Sequence, residues 1–399
     1  MSTQQISPAP TGARADRITA EECRIDDFVA LTSRTTDLAD YPYASGTDRG
    51  VLFYDAAAVT GTDEATREQI GDELARALLT GPGIVVFTGA FDERHGLQET
   101  TEVFTQIIAD QYASGVTGGD HFAKAGANDR IWNAVQKLAE RDPELFVRYY
   151  ANDVLALVSE AWLGPMYQVT SQINVVNPGG AAQNPHRDYH LGFMATATAA
   201  RFRSHIHRLS PALTLQGAVA HVDMPIEAGP TMYLPYSQTY EPGYLAFNLP
   251  EFREYFEHNY VQLPLNAGDA VFFNPGLFHG AGHNVSAATK RMANLLQISS
   301  AFGRAMESVD RSSMLRAVYP ALQKLAAGGN RRAVANVIGC AAEGYPFPSN
   351  LDLDAPITGL SGETQAELVA RALDEGFDAA RFDAELTALD HRHDPNGAV

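Results

Sequence analysis

The chain has 399 residues, of which 45% are hydrophobic and 19% charged, an ordinary globular composition that allows a large core. Asp and Glu total 48 against 29 Lys and Arg, so the formal charge is -19 and the overall field repels nucleic acid and anionic membrane surfaces. A small-molecule partner fits this charge better. The two cysteines, Cys23 and Cys340, are far apart, which excludes a disulfide framework and a thiolate zinc site and favours a reducing cytoplasm.

The composition of the first residues does not predict a signal peptide. Residues 1 to about 20 are rich in Gln, Ser, Pro and Thr and show no hydrophobic period, which predicts a flexible lead-in. They lack the apolar stretch of a signal peptide, and no run in the chain approaches the ~20 apolar residues of a membrane span. We therefore expect an unprocessed cytoplasmic protein that does not bind membranes.

The first part of the chain after this lead-in is mainly helical in pattern. A helix begins after Thr62 or Asp63, either of which is a good N-cap, and ends at the turn 81–83. A short buried strand, 84–88, follows. Further helical patterns cover residues 97–112 and 130–163.

Beyond Gly164 the pattern changes to short β-rich runs separated by Gly, Pro and Asn, which is typical of a jelly roll. These runs are 167–176, 212–223, 230–235, 260–264, 269–274 and 291–299. Helical patterns return at 307–326, 330–342, 362–375 and 378–391. We predict an α+β fold: a flexible N-terminus (1–20), a double-stranded β-helix (jelly roll, cupin-like) core with N-terminal helices (21–305), and a helical C-terminal extension (306–399) that supports the core or forms a homodimer contact.

A His-x-Asp pair follows the predicted strand 167–176. A Gly-rich loop delivers His186 and Asp188, and residues two apart in extended backbone project to the same side, so an imidazole and a carboxylate can share one cation. The pair alone is weak evidence, because His221 and Asp223 form a second one. We interpret the second pair as a satisfied structural pair on an internal strand.

A distal histidine strengthens the first pair. Residues 268–280 have the pattern of a tight turn, a buried strand and then His279 at the strand exit. Two histidines and one carboxylate on one face of a metal leave positions open for a cosubstrate and oxygen, the arrangement of Fe(II) oxygenases, and it suits iron better than zinc. His283 is the alternative ligand, although a loop location would need extra reach.

An arginine follows at the start of the predicted strand 291–299. The planar guanidinium of Arg291, inside a barrel, would bind a distal carboxylate of the cosubstrate through two charge-assisted hydrogen bonds. The His-x-Asp pair, the strand-exit histidine and the downstream arginine, in this order, predict a metal site beside a carboxylate site.

With these motifs the sequence resembles the phytanoyl-CoA dioxygenase family of 2-oxoglutarate oxygenases over about 165–303. The resemblance lies in His186-Arg187-Asp188, in Ala228 to Gln238, and in His279 to Ser286 leading to Arg291. It implies that His186, Asp188 and His279 bind Fe(II). It also implies that Arg291 binds the distal carboxylate of 2-oxoglutarate.

The sequence departs from the family at two positions. Ala281 stands where the family often has a serine that binds the cosubstrate, and Ser286 is our candidate replacement. Lys290 stands where the family usually has its arginine, so it is the alternative to Arg291. Similarity to the related ectoine hydroxylases suggests Asn174 as a further cosubstrate contact.

The resemblance implies an Fe(II)- and 2-oxoglutarate-dependent dioxygenase that uses O2 to hydroxylate a small organic molecule, with release of succinate and CO2. Related halogenases have a small residue in place of the carboxylate, so Asp188 favours hydroxylation, or a desaturation or ring closure, over halogenation. The alternative is a non-redox cupin-like isomerase, hydrolase or ligand-binding protein, which would have no use for Arg291. For Tyr189 and His190 the sequence leaves two roles open: lining a substrate pocket or packing in the core.

Overall fold

The fold is described from a computed structural model that covers residues 16–115, 127–356 and 359–397. Its strands are β1 (Gly46–Asp48), β2 (Val51–Asp55), β3 (Ile84–Thr88), β4 (Asn128–Ile131), β5 (Gln168–Val176), β6 (Thr214–Ala220), β7 (Met232–Leu234), β8 (Ala270–Phe273), β9 (Phe278–Gly280) and β10 (Arg291–Ser299). Its α-helices are α1 (Ile25–Thr32), α2 (Ala56–Val59), α3 (Glu64–Leu79), α4 (Leu97–Ala113), α5 (Ala134–Arg141), α6 (Pro143–Tyr150), α7 (Asp153–Leu163), α8 (Thr196–Ala199), α9 (Ser204–Ala212), α10 (Gly243–Ala246), α11 (Pro250–Asn259), α12 (Arg311–Ala327), α13 (Arg331–Ala341), α14 (Gln365–Asp374) and α15 (Ala379–His393).

Eight strands form one large sheet in the order β1-β2-β3-β8-β6-β10-β5-β4. All neighbouring pairs are antiparallel except β2 with β3. A second, antiparallel sheet consists of β7 and β9, and single bridges extend it from Tyr233 to Val261 and from His279 to His186. The observed architecture confirms a mixed α and β fold built on a large, mostly antiparallel sheet.

Alternate residues of the central strands face opposite sides of the large sheet. On β10, Met292 and Ile298 belong to the main apolar core, which the sheet shares with helices α3, α5, α6, α7 and α12. Arg291, Leu295 and Gln297 face the other way and line a cavity. The large sheet therefore separates a helix-covered core from a cavity with polar side chains.

The C-terminal helices pack on the helix-covered side. Helix α12 contacts α5 and α6, and α13 contacts β5. The buried Arg311 guanidinium donates to the carbonyl oxygens of Cys340 at 2.7 Å and Val169 at 2.9 Å, and so connects α12 to both α13 and β5. Helix α15 joins this layer through Tyr319 and Phe382, whose rings stack at 3.9 Å.

Some predictions need correction or fall outside the described residues. The predicted strand 260–264 is wrong, because only Val261 forms a bridge there. Most of the predicted flexible segment 1–20 lies outside the described residues, and within the described part Ile18 is buried. In the described ranges no helix is long and apolar enough to cross a membrane.

Candidate metal centre

The two segments that carry the predicted ligands lie side by side. The His186 amide donates to the His279 carbonyl at 2.9 Å, and the His279 amide donates back at 3.2 Å. The Asp188 amide donates to the Pro275 carbonyl at 3.1 Å. These hydrogen bonds pair the segment that carries His186 and Asp188, here called the ligand loop, with the edge of β9. The three candidate ligands are distant in sequence but therefore lie on neighbouring extended segments.

Three side chains converge from this pairing. Oδ1 of Asp188 lies 3.6 Å from His186 Nε2, and its Oδ2 lies 3.4 Å from His279 Nε2. One potential ligand atom from each residue lies within 4.8 Å of the others. Among the described residues, no other group of three or more His, Cys, Asp or Glu side chains has this geometry.

Backbone carbonyls fix the tautomer of both imidazoles. Nδ1 of His186 lies 3.0 Å from the Asn184 carbonyl oxygen, and Nδ1 of His279 lies 2.9 Å from that of Leu277. Since a carbonyl oxygen only accepts, Nδ1 carries the proton and Nε2 of the neutral ring is left with its lone pair. Burial lowers the pKa of His186, which favours this neutral form.

Asp188 supplies the negative charge of the centre. Burial alone would raise the pKa of Asp188, but the charge that His186 carries at the low pH where a carboxylate titrates, together with a hydrogen bond from Gln216, outweighs burial and holds the pKa well below its usual range. The centre thus offers two neutral nitrogen donors and one carboxylate. This donor set suits Fe(II) with open coordination positions.

Arg187, between two of the ligands, packs beside the centre. Its Nη2 donates to the carbonyl oxygens of Ser237 at 2.6 Å and Tyr240 at 2.8 Å. The guanidinium lies over the rings of Tyr244 at 5.0 Å and Phe278 at 5.3 Å. Burial lowers the pKa of Arg187 to about 10, which leaves it charged at neutral pH.

The three candidate ligands line a cavity of about 560 Å³, and Arg291 lines the same cavity. Arg291 is 6% exposed, and burial lowers its pKa to about 10. Its Nη1 is buried without a hydrogen-bond partner. Lys290 is exposed and does not line the cavity. A buried cation is costly unless paired, so Arg291 makes this wall complementary to a carboxylate.

The other two predicted cosubstrate contacts differ in placement. Asn174 lines the cavity, and its Oδ1 is buried without a hydrogen-bond partner. Ser286 is not brought to the cavity, because its hydroxyl donates to Asn284 Oδ1 at 2.6 Å within a turn. The prediction for Ser286 is therefore corrected. The alternative ligand His283 is exposed, whereas His279 is buried.

Comparison with known proteins assigns the chain to a family. A profile of the phytanoyl-CoA dioxygenase family matches residues 53–293, more than half of the chain. The chain belongs to the phytanoyl-CoA dioxygenase family. The family match begins well before residue 165, where the resemblance in the sequence motifs begins, and it includes the strands and helices from β3 to α7.

A search of solved structures finds two enzymes of nogalamycin biosynthesis and one further protein with bound 2-oxoglutarate. The α-ketoglutarate-dependent epimerase SnoN from nogalamycin biosynthesis is 21% identical, with a TM-score of 0.41 over 60% of this chain and 82% of that one. The carbocyclase SnoK from the same biosynthesis is 20% identical (TM-score 0.40; 59% and 86%). HygX from Streptomyces hygroscopicus, solved with nickel and 2-oxoglutarate, is 14% identical (TM-score 0.39; 57% and 87%). Among curated proteins, none matches the chain significantly.

The second His-x-Asp pair of this family member has no part in the centre. His221 is buried between Thr101 Oγ1, 2.8 Å from Nδ1, and the Tyr149 hydroxyl, 3.0 Å from Nε2, and burial lowers its pKa to about 3. Asp223 is exposed and accepts a hydrogen bond from the Ala267 amide at 2.9 Å. The prediction that His221 is a satisfied structural residue is confirmed, but both His221 and Asp223 lie beyond the end of β6 rather than on an internal strand.

The residues after the ligand pair divide between core and cavity. Tyr189 is buried and does not line the cavity. The ring of His190 approaches the Ser210 carbonyl oxygen, with Nδ1 at 3.3 Å, and is likewise outside the cavity. Gly192 and Phe193 line the cavity instead, and Phe193 is 58% exposed.

Several cavity residues were not predicted. Gln216 could have been found from the alternation on β6, because it shares the inward face with Ala218 and Ala220, which also line the cavity. Arg130 had no usable signal, because its strand was predicted as the start of a helix. Its Nη1 donates to Gln172 Oε1 at 2.8 Å.

Proposed function

We propose that this protein is an Fe(II)- and 2-oxoglutarate-dependent dioxygenase that hydroxylates a small organic molecule, with release of succinate and CO2. The observation that carries the proposal is Arg291, a buried guanidinium in the same cavity as the three candidate ligands. A non-redox cupin-like protein would have no use for such a cation. The family assignment supports the same function.

The residues of the cavity fit the iron and its cosubstrate. His186, Asp188 and His279 would hold the iron through Nε2, a carboxylate oxygen and Nε2. Arg291 would bind the distal carboxylate of 2-oxoglutarate, with Asn174 as a polar neighbour. When bound, iron and 2-oxoglutarate supply the oxidising power, and one atom of O2 enters succinate and the other the hydroxylated product. The protein binds and orients the substrate and limits access of water.

We further propose that the core is a double-stranded β-helix. The central strands of the large sheet form one wall of the cavity, and the short β7-β9 sheet with the attached ligand loop borders the other side. His186 and His279 are paired on the short sheet, whereas Arg291 and Gln216 are on the large one. The candidate site would thus lie between the two sheets.

The substrate would occupy the part of the cavity that Trp132, Met306 and the exposed ring of Phe193 line. Arg130 lies over the Trp132 ring at 4.9 Å. The cavity volume is within the range of about 300–1,000 Å³ that is usual for small-molecule sites, so a coenzyme A moiety would have to remain outside.

The proposal is tested first by binding, because binding does not require the substrate. Anaerobic titration of the Mn(II)-loaded protein with 2-oxoglutarate should show saturable binding, which His279→Ala should abolish. With Fe(II) and O2, the protein should then form succinate from 2-oxoglutarate above the level of His279→Ala. Absence of metal-dependent 2-oxoglutarate binding would refute the proposed function.

A further inference from the structure

Gln216 lies in the middle of the large sheet and contacts a candidate iron ligand. It stands on β6 between Gln297 of β10 and Phe273 of β8, and its side chain lines the cavity. Its Nε2 donates a hydrogen bond to Oδ2 of Asp188. Because a carboxylate oxygen only accepts, this contact fixes the orientation of the amide, with Nε2 toward Asp188.

We propose that Gln216 is a positioning residue that keeps Asp188 a monodentate metal ligand; the inference rests on the proposed function. Both oxygens of Asp188 lie near a ligand nitrogen, Oδ1 3.6 Å from His186 Nε2 and Oδ2 3.4 Å from His279 Nε2. Gln216 donates to Oδ2 alone, so Oδ1 keeps its lone pairs free of this hydrogen bond and is the better metal ligand. Two histidines and a monodentate carboxylate leave three positions of an octahedral Fe(II) open. A carboxylate bound through both oxygens would take one of the positions that a two-atom cosubstrate and oxygen require.

Packing alone does not account for a glutamine at this position. Gln216 is 5% exposed, and its Oε1 is buried without a hydrogen-bond partner. In the described part of the chain, Asp188 is the hydrogen-bond partner of this side chain. A buried amide costs free energy unless it is hydrogen-bonded, whereas an apolar side chain of similar size would fill the same space without that cost. The benefit of the amide therefore depends on Asp188.

Gln297 provides a matched control. It is the direct cross-strand neighbour of Gln216, is 8% exposed and lines the same cavity. It makes no contact with the three candidate ligands among the hydrogen bonds of the described residues. Methionine keeps the length of glutamine and removes its hydrogen-bonding groups, so Gln216→Met and Gln297→Met differ mainly in the contact to Asp188.

The test compares Mn(II) affinity and the electron paramagnetic resonance spectrum of bound Mn(II) in the two variants. Gln216→Met should bind Mn(II) about 10- to 100-fold more weakly than the wild type, the usual effect of losing a partner of a metal ligand, and its spectrum should change. Gln297→Met should match the wild type in both measurements. Gln216→Leu gives the same readout should Gln216→Met not fold.

Two outcomes would overturn the inference: unchanged Mn(II) affinity and spectrum in Gln216→Met, or equal losses in Gln216→Met and Gln297→Met. A failure of the proposed function is distinct from both. In that case the wild type itself would bind Mn(II) no better than His279→Ala.

Discussion

The Arg187 guanidinium lies 5.3 Å over the Phe278 ring, so the residue between two candidate ligands is stacked on the residue that precedes the third. Its hydrogen bonds to the carbonyl oxygens of Ser237 and Tyr240 attach the ligand loop to one further segment. Carbonyl oxygens and aromatic faces stabilise a buried cation. Arg187 thereby holds both ligand-bearing segments in place without contributing a ligand.

A substitution at Gly243 tests the packing of Arg187 against the ligand-bearing segments. A Cβ atom at Gly243 would come within 1.9 Å of Arg187 Cζ, so Gly243→Ala must displace the guanidinium. We expect a loss of about 1–3 kcal/mol in the free energy of unfolding, as for other overpacked buried sites, together with weaker Mn(II) binding. Gly46→Ala is the control, because a Cβ there meets nothing within 4 Å. Denaturant unfolding of both variants measures the difference, and equal stabilities would contradict the described packing.

Arg291 and Lys290 are adjacent in sequence but differ in environment, one lining the cavity and the other exposed. Arg291→Ala should raise the Kd and apparent KM for 2-oxoglutarate about 10- to 100-fold, because a charge-assisted hydrogen-bond pair contributes on the order of 1.5–3 kcal/mol. Lys290→Ala should leave both constants unchanged. Titration with 2-oxoglutarate measures the effect, and similar losses in the two variants would remove Arg291 from the site.

The carboxyl group of Glu307 predicts how the stability of the protein depends on pH. Burial raises the pKa of Glu307 to about 7, although a hydrogen bond from the Asn133 amide and the nearby Lys137 oppose the shift. The folded protein therefore binds a proton that the unfolded chain releases above its ordinary pKa of about 4.5, so stability falls as pH rises from about 4.5 to 7. Between pH 4.5 and 7, the free energy of unfolding of the wild type should fall by about 1–2 kcal/mol relative to that of Glu307→Gln, after allowance for partial solvent screening. Parallel stability curves for the two proteins would show that Glu307 is not the titrating group.

Local patterns predict the regular elements whose hydrophobic periods are long. Strand β10 spans 291–299 as predicted, and α3 begins after the predicted N-cap Asp63, whose side chain accepts from Thr66 N. Helix α11 was missed although Pro250 stands at its first turn, a usable start signal. The second half of β4, Arg130 and Ile131, was predicted as the start of a helix, because four residues are too few to show a period and the strand geometry depends on pairing with β5.

In the candidate site, too, local patterns could be predicted from the sequence and long-range contacts could not. The candidate ligands could be proposed from the sequence because a His-x-Asp pair and a strand-exit histidine are local patterns in a fixed order. The alternation on β6 could have placed Gln216 toward the cavity, but its contact with Asp188 could not be predicted, because the contact depends on which face of β6 meets the ligand loop. The role of Ser286 was mispredicted for a similar reason: its hydroxyl is used by Asn284 within a turn, a choice that depends on loop conformation.

Asp188 and Asp223 allow the placement of the metal centre to be tested by one substitution in each His-x-Asp pair. Asp188→Ala removes the only carboxylate of the candidate centre among the described residues, so Mn(II) affinity and succinate formation should both be lost while the fold remains. Asp223→Ala removes one hydrogen bond to the Ala267 amide at an exposed position, so it should lower the free energy of unfolding by about 1 kcal/mol or less and leave Mn(II) affinity unchanged. Mn(II) titration and denaturant unfolding distinguish the two effects. If the Asp223 variant lost Mn(II) and the Asp188 variant retained it, the iron site would belong to the second pair, and the loop that carries His186 would be structural.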